Sequence, residues 1–120
     1  MSGLLNLKKG VAEDSDIVRT LVVAAADGAI SIQNSTVVIT KGTAAAMTLA
    51  TPTTAQNGTV ITITSSTAAA HTVTAATIGF NALNTSGDVG TFGGAIGDGM
   101  IVVAYGGEWL VLNNINVTLA

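Results

Sequence analysis

Ionic side chains are what this chain has least of. Nine per cent of its 120 residues are charged, against about a quarter in an average soluble protein. Four Lys and Arg stand beside seven Asp and Glu, a net charge of −3. Without a cationic face there is no purchase on phosphates, so nucleic acid is excluded as a partner. Cysteine is absent, which excludes disulfides and zinc–thiolate sites and leaves the redox compartment open. Aromatics make up 3 % of the chain, so its core must be built from aliphatic side chains. No apolar run approaches the roughly 18 residues that cross a bilayer as a helix, and no membrane partner is expected. Ile17–Ala26 ends in three alanines, as a signal segment can. Arg19 interrupts it, however, and Glu13, Asp14 and Asp16 stand where basic residues belong, so export by that route is not expected.

Apolar residues account for 48 % of the sequence, with 14 Gly and one Pro. Val, Ile and Thr in short runs punctuated by glycine favour strands and turns. The expected class is all-β, a small antiparallel β-sandwich or β-barrel, jelly-roll-like, in one domain. The few charges are gathered early: residues 1–27 hold Lys8, Lys9, Glu13, Asp14, Asp16, Arg19 and Asp27. Leu4, Leu5 and Leu7 form an apolar hook that a segment so short cannot bury by itself. Residues 1–27 therefore read as an extended arm, with Ile17 and Leu21 joining the three leucines as candidate capsid or subunit contacts. Residues 28–120 read as the β domain.

The strongest single signal is Met100–Leu112. Two β-rich runs flank Gly106-Gly107, and both central residues of a type I′ turn need positive φ. Placing Tyr105 opposite Glu108 pairs Ala104 with Trp109, Val103 with Leu110, Val102 with Val111 and Ile101 with Leu112. Ile101, Val103, Leu110 and Leu112 then share one face; Trp109 and Val111 share the other. With both faces apolar, the expectation is a central core hairpin covered on both sides.

A weak internal repeat precedes it. Val37-Val38-Ile39-Thr40 followed by Thr43–Leu49 matches Ile61-Thr62-Ile63-Thr64 followed by Thr67–Val73, aligning Met47 with His71. Each copy reads as strand, tight turn, strand, hence a duplicated hairpin. A solenoid is the other reading of a period in the twenties, but it needs three copies, and no third is visible. Gly79–Gly99 reads as a glycine-rich surface excursion pinned by Phe80 and Phe92.

Chemistry-bearing constellations are few. His71 is the sole histidine, so a zinc site lacks partners, and no Gly-x-Ser-x-Gly elbow supports a Ser-His-Asp triad. Gly93-Gly94-Ala95-Ile96-Gly97-Asp98-Gly99 has neither phosphate-loop spacing and leads into a strand instead of a helix. Asp88 and Asp98 read as turn residues beside glycines, not as a Ca²⁺ pair. No catalytic residue, metal ligand or cofactor is assigned, and an enzyme is not expected. A surface so poor in Lys, Glu and Asp has the composition of a protein–protein interface.

Four stretches carry a resemblance. Asp27-Gly28-Ala29-Ile30, Val38-Ile39-Thr40-Lys41-Gly42, Thr67-Ala68-Ala69-Ala70-His71-Thr72-Val73 and Thr91–Gly99, running into the hairpin, resemble small virion structural proteins of tailed bacteriophages. The similarity is closest to capsid decoration, or cement, proteins, and extends from about Gly28 to the C-terminus. Such modules also resemble pieces of head fibres and tail proteins. The resemblance implies a homotrimer, made in the host cytoplasm, that binds the major capsid protein on the outer face of the virion where capsomers meet. The alternative it leaves is a head-fibre or tail-tip module contacting the host surface.

Overall fold

A computed structural model gives the fold of residues 19–120. Among these residues ten strands form two five-stranded sheets, the first six alternating between them. Sheet A contains β1 (Thr20–Ala24), β3 (Ser35–Ile39), β5 (Val60–Ser65), β8 (Gly99–Tyr105) and β9 (Glu108–Ile115), in that spatial order. Sheet B runs β10 (Val117–Leu119), β7 (Val89–Phe92), β6 (Thr72–Thr74), β4 (Ala46–Thr48), β2 (Gly28–Ala29). The all-β, two-sheet architecture expected from the sequence is the one the chain adopts.

Pairing within the sheets is mixed, not wholly antiparallel. β1, β3 and β5 are parallel to one another, as are β2, β4 and β6. Each successive pair of strands is one rung: the chain crosses from sheet A to sheet B, then returns one place along. The predicted hairpins are therefore arches, whose two strands face each other across the core and share no ladder. β1 and β2 supply the third rung that the repeat lacked. Antiparallel pairing enters with β7 to β10, which join β5, β6 and one another and close the far side. The sheets stay separate, so the body is a sandwich and not a barrel.

The repeat is real but displaced. Ser35 lies opposite Ile61 and Val37 opposite Ile63; Met47 lies opposite Val73. The sequence match set Val37 against Ile61 and Met47 against His71, two residues short. A slip of two preserves which face a side chain takes, so the match aligned residues of the same face and missed their partners.

Alternation drives the burial. Ser35, Val37 and Ile39 point inward from β3, as do Ile61, Ile63 and Ser65 from β5, while the residues between them stay half-exposed. Met47, Val73, Phe92 and Met100 complete the interior between the sheets, with Phe80 and Trp109 fully enclosed. Phe80 comes from the Gly79–Gly87 excursion and forms a bridge beside Trp109. There Asn81 N–H donates to the Trp109 carbonyl (2.9 Å) and Asn81 Oδ1 accepts from Val111 N–H (2.8 Å). The excursion thus covers part of the β9 edge, which would otherwise present unpaired amides.

The hairpin forms as predicted from Tyr105–Glu108 back to Val102–Val111, about Gly106 and Gly107 at φ +61° and +78°. Beyond that a bulge shifts the register, so Ile101 pairs with Asn113 instead of Leu112. Coverage on both sides is corrected. β9 is the sheet edge, and only the face toward sheet B is covered. Trp109 is fully buried and Val111 packs on the core, but Ile101 and Val103 are half-buried on the outer face, and Leu110 and Leu112 are exposed there. The predicted arm boundary also moves. Thr20–Ala24 is a strand of the body, whereas Leu4, Leu5, Leu7 and Ile17 lie outside the described residues.

Candidate interaction surface and the polar clasp of the arches

The polar side chains available for chemistry are spent on holding the arches together. Asp27, between β1 and β2, accepts through Oδ1 from Lys41 Nζ (2.8 Å) and from Ala46 N–H (3.0 Å). The lysine hydrogen bond, then the backbone one, hold its carboxyl below the usual carboxylate range. The Lys41 carbonyl in turn accepts from Thr67 Oγ1 (2.6 Å), which lies 2.9 Å from His71 Nε2. His71 Nδ1 accepts from Ala45 N–H at 3.0 Å. Since Nδ1 accepts, the ring proton belongs on Nε2 and is donated to Thr67. One continuous clasp therefore links all three rungs.

His71 is fully buried, with Phe92 edge-on at 5.9 Å between ring centroids. Burial first, and the Lys41 charge second, push its pKa below the ordinary imidazole value. Both ring nitrogens are engaged by Ala45 and Thr67, with no carboxylate among their partners. What this arrangement does chemically is clamp two arches in one register.

The glycine-rich loop is similarly self-satisfied. Gly93, Ala95 and Gly97 N–H groups donate to the Asn116 carbonyl, Asp98 Oδ2 and the Ser65 carbonyl. Asp98 is buried and also accepts from Asn116 Nδ2 (3.2 Å). It ties the loop to the β9–β10 corner, a turn role in keeping with the sequence. Among the described residues no three His, Cys, Asp or Glu come together as metal ligands, and no helix is long and apolar enough to cross a membrane.

What remains open to a partner is the outer face of sheet A. Leu21 and Val23 project from β1, and Leu110, Leu112 and Ile115 from β9; Leu21 is 64 % exposed and Leu112 61 %. Between these edges the rows run through Thr36, Val38, Thr62, Thr64, Ile101 and Val103, uncharged throughout. Large side chains stand at the two margins and small ones in the middle. The outer face of sheet B, by contrast, presents Thr48, Thr72, Thr74, Thr91 and Thr118. Of the residues singled out from sequence as contacts, Leu21 is on the sheet A face. Leu110 and Leu112, assigned to the core, share that face, because apolarity alone does not reveal which side a second sheet will cover. Val23 and Ile115 were missed; the alternation of β1 could have placed Val23 beside Leu21, whereas Ile115 reaches this face only through the bulge in β9.

Comparison with protein-family models, with curated proteins and with solved structures finds no match.

Proposed function

We propose that this chain is a structural virion protein that decorates and stabilises a bacteriophage capsid, binding its outer face across adjacent coat subunits as a homo-oligomer. The observation that carries the reading is a charge-poor exterior with five large aliphatic side chains exposed on one sheet face. Large aliphatic side chains exposed together on one sheet face mark an interaction site. The resemblance of the body to cement proteins supplies the partner class, the major capsid protein. The engagement of His71, Asp27 and Asp98 in scaffold hydrogen bonds favours a bracing role over a reacting one.

The mechanism is clamping. Burying apolar area contributes roughly 25 cal/mol per Å², less the cost of association. A modest surplus at each joint, repeated over a shell, opposes the outward pressure of packaged DNA. A host-binding tip would expose aromatics in its loops; Phe80 and Phe92 are buried, leaving Tyr105 at the hairpin turn. Cosedimentation with empty phage capsids and with bacterial cells tests the two. Saturable capture by capsids is expected, and capture by cells alone would overturn the cement reading.

A further inference from the structure

We infer that the outer face of sheet A is the contact between two copies of this chain, packed face to face about a twofold axis parallel to the strands. The inference deepens the proposed function and rests on it for the expectation that the chain self-associates. It replaces the threefold symmetry implied by the resemblance.

The first argument is charge. Among the described residues only Arg19, at the start of β1, and Glu108, at the start of β9, bring formal charge to this face. Both lie at the same end of the sheet. Arg19 donates through one guanidinium nitrogen to the carbonyls of Ser35 (2.7 Å) and Val60, and Val60 pairs with Val103 two residues before Tyr105, the partner of Glu108. Their backbones stand at opposite edges, because β1 and β9 bound the sheet, while the Arg19 guanidinium reaches in over the ends of β3 and β5. Both side chains are half-buried, so part of each is open to a partner. A half-turn about an axis along the strands keeps the ends together and exchanges the edges. Arg19 of each copy then comes to the same corner as Glu108 of the other, twice. A half-turn about an axis across the strands would instead set both charges against the uncharged end.

The second argument is shape. The same operation lays β1 of one copy over β9 of the other, so Leu21 and Val23 meet Leu110 and Leu112. Two twisted sheets packed face to face approach most closely at their centres and splay toward their corners. Small side chains along β5 and large ones at the edges fit that gap. The third argument is area. Five strands about 4.8 Å apart, each contributing about five residues at 3.3 Å, give a flat footprint of roughly 400 Å² per copy. That is small beside the roughly 800 Å² per partner of a standard interface, even after side-chain relief is added, which places the pair at the weak, reversible end. A second copy is also the one occupant certain to bring an equally uncharged face, so that no lone charge is buried.

Sedimentation equilibrium of the full-length protein across a wide concentration range tests this. The expected result is a reversible monomer–dimer equilibrium, the dimer having twice the 11.9 kDa chain mass. Leu112→Lys, at a position 61 % exposed, should raise the dissociation constant at least tenfold with unchanged circular dichroism, and Thr48→Lys on the outer face of sheet B should not. Arg19→Glu and Glu108→Arg should each weaken the pair about tenfold, and the two combined in one chain should restore it. A monomer at every concentration, a trimer, or a dimer indifferent to Leu112→Lys would overturn the inference. So would a charge exchange that weakens the pair as much as the two single changes together. Capsid cosedimentation is read separately: a dimer that ignores capsids sinks the proposed function and leaves this contact standing, while a capsid-binding monomer does the reverse.

Discussion

His71 offers the sharpest test of how the arches are held. Its Nδ1 can accept from Ala45 N–H only while the imidazole is neutral. Replacing it with Ala strands that buried donor, a cost of about 1–3 kcal/mol, and opens a void beside Phe92 of the kind that costs about 3–5 kcal/mol for an aromatic ring. Neighbouring effects do not add fully, so a total near 4 kcal/mol is expected, a large share of the 5–15 kcal/mol available to a domain. His71→Asn places an amide oxygen where Nδ1 stood and should recover about 1–3 kcal/mol of that loss. The pH dependence follows from the lowered pKa. The unfolded chain takes up a proton near 6.5 and the folded chain only at lower pH, so the unfolded state binds more protons between the two values. The histidine's contribution is therefore complete above pH 6.5 and falls as the pH drops from there toward the folded pKa. The Asn variant should lack that slope. Asp27, whose pKa is lowered from 3.8, loses its contribution only below that value, in a separate window. Urea unfolding followed by the fluorescence of Trp109, the single tryptophan, at pH values from 8 to 4.5 measures the histidine's share and stays above the Asp27 window. Identical pH slopes in wild type and His71→Asn, or a cost under about 1 kcal/mol for His71→Ala, would refute the neutral-clamp account.

Three further outcomes follow from the same packing. Trp109→Ala should cost about 3–5 kcal/mol, and Trp109→Phe about 1–3 kcal/mol because the Ala50 carbonyl loses the indole N–H at 2.8 Å; urea titration by circular dichroism reads both. Gly99→Ala would drive a Cβ into the Ile63 carbonyl and the Thr64 backbone of β5, so a loss of about 1–3 kcal/mol is expected, with faster amide exchange along the β5–β8 ladder. Asp98→Ala removes the acceptor shared by Ala95 N–H and Asn116 Nδ2 and should cost about 2 kcal/mol. Proteolysis is then expected first within Gly93–Gly97.

How far the sequence could be read depended on whether a property is local. Face alternation is local, so the inward set Val37, Ile39, Ile61 and Ile63 was legible, as was the Gly106-Gly107 turn, whose positive φ values glycine adopts without steric cost. Partner choice is not local. A strand–turn–strand unit closes as a hairpin when its strands share a ladder and as an arch when the chain between them crosses the core, and Thr40–Ala45 contains turn residues suited to either. The long-range bonds from Asp27 to Lys41, Thr67 to Lys41 and Ala45 to His71 select the arch. Each joins residues at least 14 apart, beyond the reach of any pattern read in a short window. The bulge at Ile101–Val102 was illegible for a related reason, since inserting Leu112 into β9 changes its register without changing its composition. The outer face of sheet A shows the limit from the other side. Ile101, Val103, Leu110 and Leu112 have the apolarity of a core, and sequence can say only that such a row calls for cover. Among the described residues a second sheet covers one face of the hairpin, and no third layer covers the other. The same hydrophobic logic that predicted a fully enclosed hairpin therefore still holds for these side chains, but the cover it calls for is not supplied by the two sheets.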